Sequence, residues 1–315
     1  MKAVIINEFG SPDQLVPADL PEPSINDDEV LVAVKAVSIN PIDYKTRSGK
    51  GLAAKLRDFM PLILGWDISG IVEKTGKNVS AFKKGDEVFG MVNFPGYGRA
   101  YAEYVPAPAS HLARKPGNIS HEAASASTLA ALTAWQGMTR HSQIEKGMKV
   151  LVHGASGGVG HFAVQIAKYF GAEVTGTSSG GNRDFVIGLG ADHHIDYNTD
   201  ELEHRGEKFD FVWDPVGGEN IDRSLKVMKP GSTIISITSG MNEAVTAKAG
   251  EKGITGIRML VQSDGEDMKK LAGLLSQKYL KPHVSKIFTF AEMAEAHRQV
   301  ETGHTVGKIV VIPEL

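Results

Sequence analysis

The chain reads as an α/β protein, with a doubly wound parallel-sheet domain inserted into an irregular β domain that is assembled from both chain ends. Three observations predict this. The first third is a series of short β-rich segments broken by turn signals; the middle alternates strand with helix around a glycine cluster; and the last segments return to β character. At 315 residues the chain exceeds what one hydrophobic core usually covers, so two domains are expected. They are placed at 1–122 with 260–315 for the β domain and 123–259 for the parallel-sheet domain.

In order along the chain, "KAVIIN", "EVLVAVKAVSIN", "DISGIVEKTG", "DEVFGMV" and "AYAEYVPAP" read as strands, punctuated by "GKN", "KKGD" and "FPGYG". After "ARKPGNISHEAA" the texture becomes alanine-rich helix. Strand "KVLVH", helix 158–170, strand "AEVTGT", a helix near 182–189, strands "HHIDY" and "FDFVWD", helix 218–227 and strand "STIISIT" follow. Such alternation predicts a parallel sheet covered on both faces. The tail offers helix "EDMKKLAGLLSQKYL", strand "SKIFTF", helix "AEMAEAHRQVETG" and strand "GKIVVIPEL".

Composition narrows the function classes. The chain is 42% hydrophobic and 23% charged, with 34 Lys and Arg against 37 Asp and Glu. No run of five like charges interrupts the mixture, which argues against nucleic acid or an anionic membrane as partner. Glu8 and Gly10 arrive before a signal-peptide core could form, and no stretch approaches a membrane span, so a cytoplasmic protein is expected. The absence of cysteine removes disulfides, thiolate nucleophiles and sulfur-based zinc sites.

The glycine cluster "HGASGGVG" lies between strand and helix. Ala155, Gly157 and Gly160 carry a dinucleotide fingerprint, with Ala155 where glycine is commoner, and Ser156, Gly158 and Val159 complete the turn. Gly157 lets the backbone approach a pyrophosphate, Gly160 lets the helix press on the sheet, and the helix start offers N–H groups to phosphate. A tight turn alone would not need four glycines. Strand "AEVTGT" then ends at Ser178 and Ser179, with Arg183 beyond, where an NAD enzyme would place a carboxylate on the ribose. Hydroxyls and a guanidinium favour a 2′-phosphate, so NADPH is the expected cofactor. Tyr197 is a candidate cover for the same phosphate or a core cap. Asp214, Val216, Thr238 and Gly240 sit at carboxyl ends of parallel strands, where such sheets bind ligands.

The stretches "SINPIDYKTRSG", "LGWDISGIVEKTGKNVSAFKKGDEVFG", "STLAALTAW", "VLVHGASGGVG" and "GKIVV" span nearly the whole chain in order. Together they resemble the zinc-free quinone oxidoreductase branch of the medium-chain dehydrogenase/reductase superfamily. The resemblance implies a GroES-like β domain plus a Rossmann domain, and a homodimer. Zinc-dependent relatives carry cysteine ligands and a "GHE" motif, whereas Trp66 and Asp67 stand here in "GWD". Of eleven histidines, His193 and His194 are adjacent and the rest lack ligand spacing, so no metal is expected. His153 and His161 read as strand-end and helix-start residues.

Without zinc, another donor must hold the negative charge that forms on oxygen when hydride reaches a quinone or an α,β-unsaturated carbonyl. By resemblance, Asn40 lines the site near the nicotinamide and the residue five positions on faces the substrate. That residue is Lys45, as in "NPxDxK" enone and alkenal reductases, which leans the reading toward enones. Lys45 as charge-stabilising donor competes with Lys45 as a solvated loop cation. Tyr44 is a weaker proton-donor candidate, and Asp43 and Arg47 are read as pairing or bracing the loop. Thr133 resembles the family threonine at the nicotinamide, and Gly307 and Lys308 resemble the terminal cofactor contact. A short-chain dehydrogenase is excluded because no Tyr-x-x-x-Lys occurs. The rival of another class is an NADPH-binding sensor or structural protein without turnover.

Overall fold

A computed structural model describes residues 1–314. It divides into two compact units: Met1–Leu132 with Val261–Lys278 and the chain from Pro282 onward, and Thr133–Leu260 with Tyr279–Lys281.

The first unit opens with β1 (Lys2–Ile6), β2 (Val16–Asp19) and β3 (Glu29–Ser38), then the short helices α1 (Pro41–Arg47) and α2 (Ala53–Leu56). Strands β4 (Leu62–Ile63), β5 (Asp67–Thr75), β6 (Glu87–Met91), β7 (Tyr104–Pro108) and β8 (Leu112–Arg114) lead to helix α3 (His121–Ala126) and to the first turn of α4 (Leu129–Arg140), whose remainder from Thr133 belongs to the second unit. Strand β1 pairs antiparallel with β2 and β4. The spine of the larger sheet is β3, flanked by β5 on one edge and by β7 on the other. Being paired on both edges and covered, β3 is apolar along most of its length rather than strictly alternating. Its pairing sets Ser38 opposite Asp67.

The second unit contains β9 (Lys149–Val152), α5 (Gly160–Tyr169), β10 (Glu173–Ser178), α6 (Arg183–Gly188), β11 (His193–Asp196) and β12 (Phe209–Asp214). It continues with α7 (Glu219–Lys226), β13 (Met228–Ser236), α8 (Val245–Gly250) and β14 (Thr255–Arg258). Its six strands run in the order β11-β10-β9-β12-β13-β14, all parallel. The chain therefore starts at the sheet centre, winds to one edge, and crosses back to β12. The switch lies between β9 and β12, where doubly wound sheets open a ligand crevice. Within this unit, a Cβ on Gly137 of α4 would meet the Trp213 ring at 2.3 Å, so glycine there lets helix and sheet close.

The tail adds α9 (Gly265–Ser276), β15 (Val284–Thr289), α10 (Met293–Glu301) and β16 (Lys308–Ile312). It returns to the first unit, where β16 pairs with Val37 and Ser38 of β3. Two features differ from the sequence expectation. The division falls after Leu132 rather than after residue 122, because α3 packs on the first unit's sheet and the Leu129 N–H donates to Asp67. Residues 41–47, expected as a loop, form α1: Pro41 opens the helix, and the Asp43 carboxylate caps the Asn40 N–H at 2.9 Å. The elements α8 and β14 carry too little apolar pattern in "EAVTAKAG" and "TGIR" to have been foreseen.

Candidate functional site

In the second unit, β9 runs into the glycine turn. Gly154 has φ +56, open to glycine at little strain. A Cβ on Gly160 would stand 2.0 Å from the Gly154 carbonyl oxygen, so α5 approaches the strand as closely as backbone permits. Ala155 is fully buried and its N–H donates to Thr177 O at 2.8 Å. The glycine that the commoner pattern places at 155 has its counterpart on the neighbouring strand. A Cβ on Gly176 of β10 would meet the Ala155 methyl at 2.9 Å, so Gly176 makes the room that Ala155 takes.

Among the described residues, the N–H groups of Ser156, Gly158 and Val159 take no backbone acceptor, and a Cβ on Gly157 would meet only Gly154 O. This open row of donors at the start of α5 fits a dinucleotide pyrophosphate.

At the end of β10, Ser178 is buried, with its Oγ 2.7 Å from His194 Nε2 and donating to Ser179 O at 3.0 Å. Ser179 Oγ accepts from Asn182 Nδ2 at 3.1 Å, which leaves its own hydrogen to donate. Asn182 Nδ2 also lies 3.2 Å from Ser156 Oγ and so ties the glycine turn to this loop; the sequence reading missed it. The Arg183 side chain is 66% exposed, with only a loose 3.6 Å contact to Asp184, and Tyr197 is also exposed. A carboxylate does stand nearby: Asp196 Oδ2 would meet a Cβ on Gly180 at 2.4 Å. Its other oxygen, Oδ1, is held by the Asn198 backbone and side-chain amides, whose hydrogen bonds help keep its pKa low.

Across the switch, Asp214 is engaged rather than free. Its oxygens accept from the N–H groups of Val216 and Gly217, from Asn220 Nδ2 and from Ser236 Oγ. It is the brace that shapes the loop carrying exposed Val216. Gly240, at φ +88, donates its N–H to Glu243, and Thr238 O accepts from the Met241 N–H. His153 is buried between Thr177 Oγ1 and Ser224 Oγ; burial pushes its pKa down to about 4, which keeps it neutral. His161 Nδ1 lies 2.9 Å from Gly157 O, at the helix start. Thr133 is buried on α4.

In the first unit, a polar cluster gathers under α1. Asp67, fully buried, accepts from Ser38 Oγ at 2.6 Å, Asn40 Nδ2 at 2.7 Å and the Leu129 N–H at 3.0 Å. The expected cofactor contact Lys308 sends its ammonium inward instead. It is buried, donates to Ile39 O at 2.8 Å and to Asn40 Oδ1, and stands 3.9 Å from Asp67. Burial depresses its pKa while Asp67 and Asp43 hold it up. Gly307, at φ +65, could not carry a Cβ because His283 O would lie 2.3 Å away.

Asp43 accepts from Tyr101 OH at 2.8 Å, and Tyr101 OH lies 3.1 Å from His297 Nε2. Burial, reinforced by Asp67, raises the Asp43 carboxyl to about 7 against the hydrogen bond from Asn40. Arg47 does not pair with Asp43; its guanidinium reaches Glu301 of α10. Tyr101, His297 and Glu301 were not foreseen, since nothing local marks them as partners of α1. Lys45 and Tyr44 thus ride on a braced helix. Lys45 is half-buried, and burial, then Lys50, lowers its pKa. Burial, then Glu301, raises the Tyr44 phenol. Trp66 is core: its Nε1 donates to Gly96 O at 2.7 Å.

Among the described residues no group of three or more His, Asp or Glu side chains could hold a metal ion, and no helix is long and apolar enough to cross a membrane.

Comparison with known proteins identifies the family. Residues 26–117 match the alcohol dehydrogenase GroES-like domain and residues 189–311 the zinc-binding dehydrogenase family. The chain is 36% identical over 324 residues to a 2-methylene-furan-3-one reductase of Solanum lycopersicum, covering 99% of this chain and 79% of that protein. It is 35% identical to an NADPH-dependent alkenal/one oxidoreductase, chloroplastic, of Arabidopsis thaliana, covering 99% and 80%. The solved quinone oxidoreductase from Coxiella burnetii superposes with a TM-score of 0.95 at 36% identity, covering 100% of this chain and 99% of that one. The chain belongs to the quinone oxidoreductase and enone reductase branch of the medium-chain dehydrogenase/reductase superfamily, with a GroES-like domain and a Rossmann domain.

Proposed function

We propose that the protein reduces α,β-unsaturated carbonyl compounds and quinones with NADPH and without zinc. The observation that carries the reading is Lys45: a half-buried ammonium of lowered pKa, fixed on a helix that Asp43, Tyr101, Arg47 and Glu301 brace.

The glycine turn would hold the cofactor pyrophosphate through the N–H groups of Ser156, Gly158 and Val159. A dinucleotide held by those groups would supply a hydride from its nicotinamide. Ser179 and Arg183 would receive the 2′-phosphate, with Tyr197 beside them, and the nearby Asp196 carboxylate, kept ionised by its hydrogen bonds from Asn198, opposes the same phosphate and limits the preference. As hydride reaches the substrate's electrophilic carbon, charge moves to the conjugated oxygen. The Lys45 ammonium stabilises that oxygen, and its lowered pKa makes it a better proton donor than an exposed lysine. Tyr44, with a raised pKa, stays protonated and is the weaker candidate for the same transfer. Zinc independence is supported by the lack of cysteine and by Asp67, whose oxygens are already hydrogen-bonded where zinc relatives carry "GHE". The reading keeps a cytoplasmic homodimer, which gel filtration and fractionation test.

The decisive experiment follows NADPH absorbance while small enones, alkenals and quinones are offered. Substrate-dependent oxidation is expected. NADPH binding with no turnover across the panel would instead select the sensor reading.

A further inference from the structure

Asn40 occupies the N-cap of α1, and its side-chain amide bridges two buried charged groups. Its Oδ1 accepts from Lys308 Nζ, and its Nδ2 donates to Asp67 Oδ2 at 2.7 Å. An ammonium can only donate and an ionised carboxylate can only accept. The two neighbours therefore fix which end of the amide faces which way, and a flipped amide would set N–H against NH3⁺ and oxygen against carboxylate. All three groups are buried, in a medium where such mismatches are expensive. The partners come from three strands whose pairing sets the geometry: Asp67 begins β5, Asn40 follows β3, and Lys308 begins β16.

Asn40 also opens α1: its backbone N–H donates to the Asp43 carboxylate and its backbone oxygen accepts from the Asp43 N–H, each at 2.9 Å, so an amide held in one orientation holds the start of the helix that carries Lys45.

We propose that Lys308 and Asp67 are positioning residues that lock the Asn40 amide in one orientation and, through it, hold the start of α1 so that Lys45 is kept in place. That Lys45 is the group served in turnover rests on the reading of the protein as an enone and quinone reductase. The lock itself rests on the hydrogen-bond pattern alone.

The test uses Lys308→Met, which keeps length and apolar bulk and removes the donor, alongside Asn40→Ala and the double variant. With an enone, Lys308→Met lowers kcat about tenfold or more while NADPH affinity changes less than about twofold. In the Asn40→Ala background the same substitution costs less than about twofold, because the group it orients is gone. Lys308→Gln, which keeps a neutral donor, recovers most of the rate, and it carries the test if Lys308→Met does not fold. Equal kcat losses in both backgrounds, or an unchanged kcat in a folded Lys308→Met, would overturn the proposal.

A second readout is independent of turnover. The side-chain amide protons of Asn40, assigned by their loss in Asn40→Ala, give two distinct, slowly exchanging NMR signals in the wild type. In Lys308→Met they exchange about tenfold faster or more. Rapid exchange already in the wild type sinks the lock, whereas a wild type that turns over no enone or quinone sinks the functional reading and leaves the NMR result to decide the lock.

Discussion

Replacing Asp43 by Asn should make the protein more stable at pH 8 and nearly unchanged in stability at pH 4. In the folded chain the Asp43 carboxyl titrates at about 7, against an ordinary value of 3.8, chiefly because it is buried and then because Asp67 repels its charge. Its Oδ2 accepts both the Asn40 N–H and the Tyr101 hydroxyl, and its Oδ1 has no partner. An amide can put its carbonyl oxygen where Oδ2 lies and so reproduce the protonated acid. A raised acid pKa means that the folded state holds the proton more tightly than the unfolded chain. Stability from this group is complete below pH 3.8 and is lost as pH rises through about 7.

At about 1.4 kcal/mol per pH unit, that interval sets a ceiling of about 4 kcal/mol. Asp67 and Lys308 respond to the same charge, so about 1–3 kcal/mol is the expected gain of the variant at pH 8. His297 does not confuse the comparison, because burial pushes it down to about 3 and it stays neutral through this range in both proteins. Denaturant unfolding at pH 4.5, 6 and 8 measures the difference. A stability gap between variant and wild type that is the same at all three values would refute the assignment of a buried, raised carboxyl at 43.

Lys45→Met should lower the rate of enone reduction by about one hundredfold, the scale of losing one oxyanion donor, while NADPH affinity stays within about threefold; equal rates would make Lys45 a surface cation. Arg183→Ala should reduce the preference for NADPH over NADH at least about tenfold, read from the two dissociation constants by fluorescence titration. Gly160→Ala, whose Cβ would stand 2.0 Å from Gly154 O, should destabilise the second unit by about 2 kcal/mol or more and weaken dinucleotide binding, measured by thermal unfolding with and without NADPH. Exhaustive chelation should leave turnover intact, and activity that falls with removal of stoichiometric zinc would reverse the metal-free reading.

The glycine turn could be read from sequence because its constraints are local. Gly154 and Gly160 answer to each other across six positions, and the strand before and the helix after are adjacent in the chain. Even there, one partner was out of reach. Whether Ala155 breaks the fingerprint depends on Gly176, which lies beside it only because β9 and β10 are neighbours in a parallel sheet. Asp214 shows the limit from the other side: its place at a strand end was correctly anticipated, but a sequence cannot say that four neighbouring groups already hold its two oxygens.

The cluster under α1 is harder to read because no single stretch contains it. Segment 38–47 supplies Asn40, Asp43 and Arg47, while Lys308 and Glu301 come from more than two hundred and fifty positions away. Each is an ordinary residue in its own neighbourhood: a lysine at the start of a strand, a glutamate at the end of a helix. Their roles arise when β16 pairs with β3 and α10 lies along α1, and that pairing also explains why the tail must return to the first unit. Without it, Lys308 would be a surface cation, the Asn40 amide would be free to turn, and Arg47 would be a buried charge with no counter-ion. The late strand and helix therefore complete the polar interior on which the position of Lys45 depends, which is why a chain cut before them should lose the orientation of α1 as well as part of a sheet.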